Sequence, residues 1–164
     1  MDADAILAWA AQNFSVERVM LNTSLQMAGV AMIHLAATAH LPIRIATIDT
    51  LRLPQETYAF LRELEERYEI DIEVQRPDPE KVKRMIRRFG EFLFFDGKHL
   101  QEHCCQVRKV FPNNELMKTA DCWISGVRRD QSELRRETPK GTSVTEYGSS
   151  RRIMRLNPMA DWSQ

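Results

Sequence analysis

The sequence has no excess of charge of either sign: 23 Lys and Arg offset 23 Asp and Glu. A balanced chain exerts no general pull on nucleic acid or on an anionic membrane, so any anion site must arise from local clustering. Long apolar runs are missing too. None reaches the roughly 20 residues that a membrane-spanning helix needs. The opening MDADAILAWA carries acids where a secretory signal would carry bases, which argues against an export signal. Cysteine is scarce, at positions 104, 105 and 122 only, and cannot form a secreted disulfide framework. A reducing cytoplasm is the expected compartment. What remains is a single domain over residues 1–164, with 43% hydrophobic residues to build a core.

Hydrophobic patterning predicts alternating strands and helices. A short amphipathic helix is expected over residues 4–14, then a strand over 16–22 with Val19, Met20 and Leu21 at its centre. Residues 26–40 read as a helix apolar nearly all round, hence buried, and broken by Pro42. Residues 43–48 form a second strand, 54–68 a strong helix, and 70–74 an edge-like third strand. A basic helix over 78–89 stops at Gly90. Residues 91–101 carry no clear pattern. Helices are expected over 101–110, ending before Pro112, and over 114–118, and a fourth strand over 122–127. Residues 133–141 are polar and read as a loop. Residues 142–147 and 151–156, flanking Gly148, Ser149 and Ser150, fit a hairpin. The order predicts an α/β fold, a mainly parallel sheet with helices on both faces and right-handed crossovers.

Ligands of such sheets sit beyond the carboxyl ends of the strands, so the residues there are the candidates. Thr23 and Ser24 follow the first strand. They either cap the next helix or, with its free N–H groups, cradle an anion. Asp49 and Thr50 end the second strand, where an acid binds a ribose or base donor or caps a turn. Arg128, Arg129 and Arg135 or Arg136 cluster after the fourth strand. The planar guanidinium fork suits phosphate and sulfate, although such a loop can also be solvated surface. A cradle, an acid and an arginine cluster at one sheet edge together favour an anionic nucleotide. Cys104 and Cys105 are adjacent, a spacing that disfavours a mutual disulfide. They are either ordinary reduced thiols or two ligands of one metal cluster whose charge Arg108 and Lys109 would offset. Cys122, within an apolar strand, reads as core, and His34 as packing. His99 and His103 fit no standard zinc spacing.

In order along the chain, TSLQMAGVAMIHL (23–35), IDTLRLPQETYAFLRELEERY (48–68), CCQVRKVFP (104–112), WISGVRRDQSELR (123–135) and NPMADW (157–162) resemble the assimilatory sulfonucleotide reductases of the adenine nucleotide alpha-hydrolase-like superfamily. The resemblance covers nearly the whole chain and implies roles. Residues 24–29, with Thr23 and Gln26, match the loop that holds the phosphosulfate; relatives carry Gly where this chain has Gln26. Asp49 and Thr50 match the strand-end pair near the nucleotide, with Leu51 in place of a common Gly. Cys104 and Cys105 match two of the four ligands of a [4Fe–4S] cluster. Lys109 matches a lysine between cluster and substrate, and Arg128, Arg129 and Arg135 match arginines of the substrate pocket.

The implied reaction is thioredoxin-dependent reduction of adenosine 5′-phosphosulfate to sulfite and AMP. The cysteine pair accompanies this cluster-bearing type, whereas the cluster-free type prefers the 3′-phosphorylated nucleotide. The family's nucleophilic cysteine is expected beyond Gln164, so that this chain is an incomplete form with no catalytic thiol of its own. The implied partners are the sulfonucleotide and thioredoxin, with no nucleic acid or membrane, and a homo-oligomer is left open. A 3′-phosphoadenosine 5′-phosphosulfate reductase and a noncatalytic adenine-nucleotide module are the alternatives. An ATP-using transferase of the superfamily would want a glycine-rich SGGxDS loop, which Ser24, Leu25 and Gln26 do not supply.

Overall fold

A computed structural model describes residues 2–145 and 152–162. These residues form, in order, α1 (Ala3–Asn13), β1 (Val19–Thr23), α2 (Met27–Thr38), β2 (Arg44–Ile48), α3 (Gln55–Tyr68), β3 (Ile72–Gln75), α4 (Pro79–Phe89), α5 (Lys98–Cys105), α6 (Phe111–Met117), β4 (Cys122–Ser125), β5 (Gly141–Thr145) and β6 (Arg152–Leu156). Local chemistry sets several boundaries. The Asp78 carboxylate accepts the Glu80 and Lys81 N–H groups, Pro79 opens α4, and Gly90, at φ 86°, closes it. Glu69, at φ 53°, ends α3 in the left-handed conformation.

The sheet runs β3-β2-β1-β4-β6-β5. All neighbours are parallel except β5 and β6, which pair antiparallel with Gly141 opposite Leu156 and Thr145 opposite Arg152. The expected α/β architecture and the hairpin pairing are therefore present. The turn expected at Gly148, Ser149 and Ser150 lies outside the described residues.

Alternation along each strand divides the apolar side chains between two faces. On one face Leu21, Ile45, Ile72, Cys122, Ile124 and Leu156 pack with Leu7 of α1, Met32 and Ile33 of α2 and Leu64 of α3. On the other, Met20, Ala46 and the half-buried Trp123 pack with Leu116 of α6. A satellite core joins Val82 and Met85 of α4 to Leu93, Cys104 and Val107. Helices thus cover both faces.

The segment without a clear pattern becomes a 3₁₀ turn, Leu93–Phe95, and the start of α5. The following stretch differs from the sequence reading. The expected helix over 101–110 does not end before Pro112; α5 passes into a π turn, Gln106–Val110, and continues as α6. The Phe111 N–H donates to the Gln106 carbonyl five residues back. Pro112 brings no N–H, but it falls in the first turn of α6, where a missing donor is tolerated. The polar 133–141 loop holds a 3₁₀ turn, Glu133–Arg135.

One close approach fixes the start of α2 against β1. A Cβ added at Gly29 would stand 1.9 Å from Thr23 Oγ1 and 3.0 Å from Thr23 Cβ. The Thr23 side chain cannot yield freely, since its hydroxyl accepts the Leu25 N–H at 2.9 Å. Alanine gains about 1 kcal/mol over glycine in helix propensity, whereas overpacking costs about 1–3 kcal/mol. With overlap this deep the steric term wins. Gly29→Ala is expected to lower stability, by up to about 2 kcal/mol net of its propensity gain. Urea denaturation checks this; an unchanged or raised midpoint would show that α2 slides freely over β1.

Candidate functional site

The loops after β1, β2 and β4 stand side by side, because the strand order places β1 between the other two and all three are parallel. Ser24, Asp49 and Arg128 therefore share the carboxyl edge of the sheet, as expected from sequence. The β4 loop also approaches α2 closely. A Cβ on Gly126 would lie 3.3 Å from the Ala28 Cβ and 3.4 Å from the Gly29 backbone nitrogen.

The first two loops solve their geometry alike. Leu25 donates its N–H to Thr23 Oγ1 at 2.9 Å, and Leu51 donates its N–H to Asp49 Oδ1 at 2.8 Å. The leucines have φ 59° and 60°, a left-handed conformation costing roughly 1–2 kcal/mol for a non-glycine residue. Two strained leucines, at adjacent strand ends, mark this edge as one where the chain gives up stability for a particular shape. Leu51 is thus strained at a position where a glycine would be relaxed. Gln26 is not: its φ of −83° is extended backbone that any residue adopts. Gln26 is also the residue before α2, and no side chain caps that helix. The capping reading of Thr23 and Ser24 therefore does not hold; Thr23 serves the loop instead.

Asp49 is almost fully buried. Its Oδ1 also accepts the Tyr58 hydroxyl at 2.8 Å, and its Oδ2 accepts Arg76 Nε at 3.0 Å. Burial pushes its carboxyl pKa up, but the Leu51 N–H, the Tyr58 hydroxyl and the Arg76 guanidinium together hold it below the ordinary carboxylate value. The same bond raises Tyr58. Asp49 thus ties β2 to α3 and to the end of β3, beside a cavity of about 180 Å³ lined by Thr47, Tyr58, Leu61 and Val74.

The π turn meets the next residue of this loop. Arg108 is buried, donates from Nη1 to the Thr50 carbonyl at 3.0 Å, and keeps a buried Nε with no partner. From sequence Arg108 counted only as charge beside the cysteines; its four-residue offset from Cys104, with Val107 turned into the satellite core, was the available sign of an inward-facing position. Cys104 is buried and Cys105 exposed at the end of α5, while Lys109 is exposed on the π turn. Cys122 is buried on β4, and burial pushes its thiol pKa up to about 12, as befits a core residue. His34 is exposed on α2, with Nδ1 3.1 Å from the Tyr68 hydroxyl and its ring edge-on to that of Tyr68. Among the described residues no three His, Cys, Asp or Glu side chains gather as a metal site.

The arginine cluster divides. Arg128 lies over the Trp162 ring and pairs with Asp130 at 2.9 Å. Arg129 donates to the Thr138 carbonyl at 2.9 Å and pairs with Asp161, clamping the 157–162 segment. Arg136 pairs with Glu133. The Arg135 side chain donates to the Gln131 side-chain oxygen and, among the described residues, holds no carboxylate.

The chain is similar to known proteins both in sequence and in fold. Residues 18–164 match the family described as the phosphoadenosine phosphosulfate reductase domain. An adenosine 5′-phosphosulfate reductase of Allochromatium vinosum is 32% identical over 91% of this chain and 57% of its own length. One from Neisseria meningitidis serogroup B is 36% identical over 87% of the chain and 56% of its own. The chain spans just over half the length of these relatives. A crystal structure of phosphoadenylyl-sulfate reductase from Candida auris, in a phosphate complex, shares the fold with TM-score 0.77 at 20% identity, covering 99% of this chain and 74% of that one.

The depressed carboxyl of Asp49 makes its contribution pH-dependent. The stabilisation is full above the unfolded value of about 3.9 and is lost as pH falls through the lower folded value. Asp49→Asn is expected to cost about 1–3 kcal/mol near neutral pH. The gap from the parent should narrow in acid below about pH 4. Urea melts at both pH values read this out; a gap independent of pH would refute the charge-based account.

Proposed function

The chain belongs to the phosphoadenosine phosphosulfate reductase domain family, and on that premise we propose that it binds adenosine 5′-phosphosulfate at the carboxyl edge of its sheet and serves the thioredoxin-dependent reduction of that nucleotide to sulfite and AMP. One observation carries this reading: the segment bearing Cys104, Cys105, Arg108 and Lys109 is anchored on the loop of Asp49 and Thr50 through the Arg108 bond to the Thr50 carbonyl. The cysteine pair and the nucleotide edge therefore belong to one site. The relatives are named for adenosine 5′-phosphosulfate, and the cysteine pair argues the same way against the 3′-phosphorylated form.

The chain's own residues divide the work. The loop of Thr23, Ser24 and Gln26 and the uncapped start of α2 offer backbone N–H groups to the phosphosulfate. Thr50, with Asp49 holding its loop rigid, borders the nucleotide. Lys109 and Arg135 face the negative charge, while Arg128 and Arg129 shape the pocket wall through Trp162 and Asp161. In the reaction a thiolate attacks the sulfur and forms an S–S bond. The S–O bond to the phosphate breaks, and AMP departs with the electron pair, its charge neutralised by these cations. The thioredoxin dithiol then supplies two electrons, becomes a disulfide and releases sulfite. Cys122 is unsuited to the attack, being buried with its thiol pushed up to about 12.

Cys104 and Cys105 fit two of the four thiolate positions of a [4Fe–4S] cluster, and Arg108, four residues on from Cys104, keeps an unpartnered Nε suited to an anionic group. Bound there, the cluster would supply a charged, redox-capable centre. Thioredoxin dependence favours a reducing cytoplasm, and among the described residues no helix is long and apolar enough to cross a membrane.

Titration calorimetry tests the reading. Adenosine 5′-phosphosulfate should bind more tightly than either adenosine or the 3′-phosphorylated nucleotide. Lys109→Ala should weaken it by roughly tenfold or more, the value of a charge-assisted contact, while leaving adenosine unaffected. No binding of the sulfonucleotide would overturn the proposal; tighter binding of the 3′-phosphorylated form would move it to that substrate.

A further inference from the structure

Trp123 and Arg155 are direct partners across β4 and β6, and so share a sheet face. The Arg155 guanidinium carbon lies 4.9 Å from the centroid of the Trp123 ring. Two donors in this contact, Arg155 Nε and Trp123 Nε1, are buried without a hydrogen-bond partner. Burial, and then the nearby charge of Arg135, hold the Arg155 guanidinium pKa below its ordinary value. Arg128, Arg129 and Arg136 each hold a carboxylate; among the described residues Arg135 and Arg155 hold none.

Stacking alone does not account for this arrangement. A cation over an indole gains about 0.5–2 kcal/mol, but each buried donor left unmatched costs about 1–3 kcal/mol, and two neighbouring guanidinium groups repel. An indole N–H and a guanidinium can only donate. What the cluster lacks is a multivalent hydrogen-bond acceptor that carries negative charge. Its place fits one: Arg155 stands two residues before Asn157, whose side chain accepts the Ser125 hydroxyl at the end of β4 at 2.7 Å, so the cluster lies just beneath the carboxyl edge.

We propose that Trp123 and Arg155 form a binding subsite for a tetrahedral oxyanion, a sulfate or phosphate ester. The naming of that group as part of the sulfonucleotide rests on the function proposed above; the anion site itself does not. Arg155→Met keeps an apolar stem on Trp123 and removes the donors. Arg155→Lys keeps the charge and removes the fork.

The test uses the full chain. Millimolar sodium sulfate, against sodium chloride at matched ionic strength, should raise the melting temperature of the parent. The rise should vanish in Arg155→Met and shrink in Arg155→Lys. In calorimetry, Arg155→Met should bind adenosine 5′-phosphosulfate about tenfold more weakly with adenosine unchanged. Equal sulfate response in parent and both variants overturns the subsite, even if the nucleotide binds. A sulfate response dependent on Arg155, in a chain that does not bind the sulfonucleotide, upholds the subsite and refutes the substrate. If Arg155→Met does not fold, an undiminished response in Arg155→Lys overturns the role of the guanidinium fork.

Discussion

The buried carboxylate of Asp49 is the constraint on which the candidate site rests. One side chain at the end of β2 takes a backbone N–H, a tyrosine hydroxyl and a guanidinium. It thereby ties the loop to α3 and to the end of β3. From the opposite side of the sheet Arg108 takes the next carbonyl. A loop held from both faces has little freedom, and that rigidity positions the cysteine pair relative to the nucleotide edge. Pre-organisation of this kind lets a site bind without first ordering itself.

The rigidity has a cost, visible at Leu25 and Leu51. Both sit in the left-handed region, each closing a two-residue turn back to a strand-end oxygen. Glycine would relax either turn but would widen its conformational range in the unfolded chain. The leucines instead keep side chains at the edge: Leu51 is partly exposed there, and Leu25 packs on the main core. The same edge accepts the crowding of Gly29 on Thr23 and of Gly126 on α2. Close backbone approach and local strain thus occur together where the strands end, and the strand interiors are regular.

The mainly parallel sheet and the shared strand ends were legible because apolar runs and helical periodicity alternate without interruption from residue 4 to residue 89. The rod from Lys98 to Met117 was not. Pro112 signals a break, and no local pattern reports that a π turn absorbs it. The arginines were legible as a cluster but not in their pairing. Asp130 and Asp161 claim Arg128 and Arg129, and the second of these contacts spans 32 residues, beyond the reach of spacing arguments. Arg108 and Arg155 were passed over for a related reason: a charged residue in an apolar neighbourhood looks the same in sequence whether it turns outward or is buried over a carbonyl or an indole.

The π turn has one more consequence. An α-helix advances about 100° per residue, and a turn holding one extra residue sets everything after it back by roughly that angle. Cys104, upstream, and Val107, at the start of the turn, are in phase with the satellite core of α4; Leu116, downstream, is in phase with the sheet. A plain helix of the same length could satisfy one core and would turn away from the other. Deleting a single residue here would produce a more regular helix and a less coherent protein, because the irregular turn is what allows one continuous rod to belong to two hydrophobic cores at once.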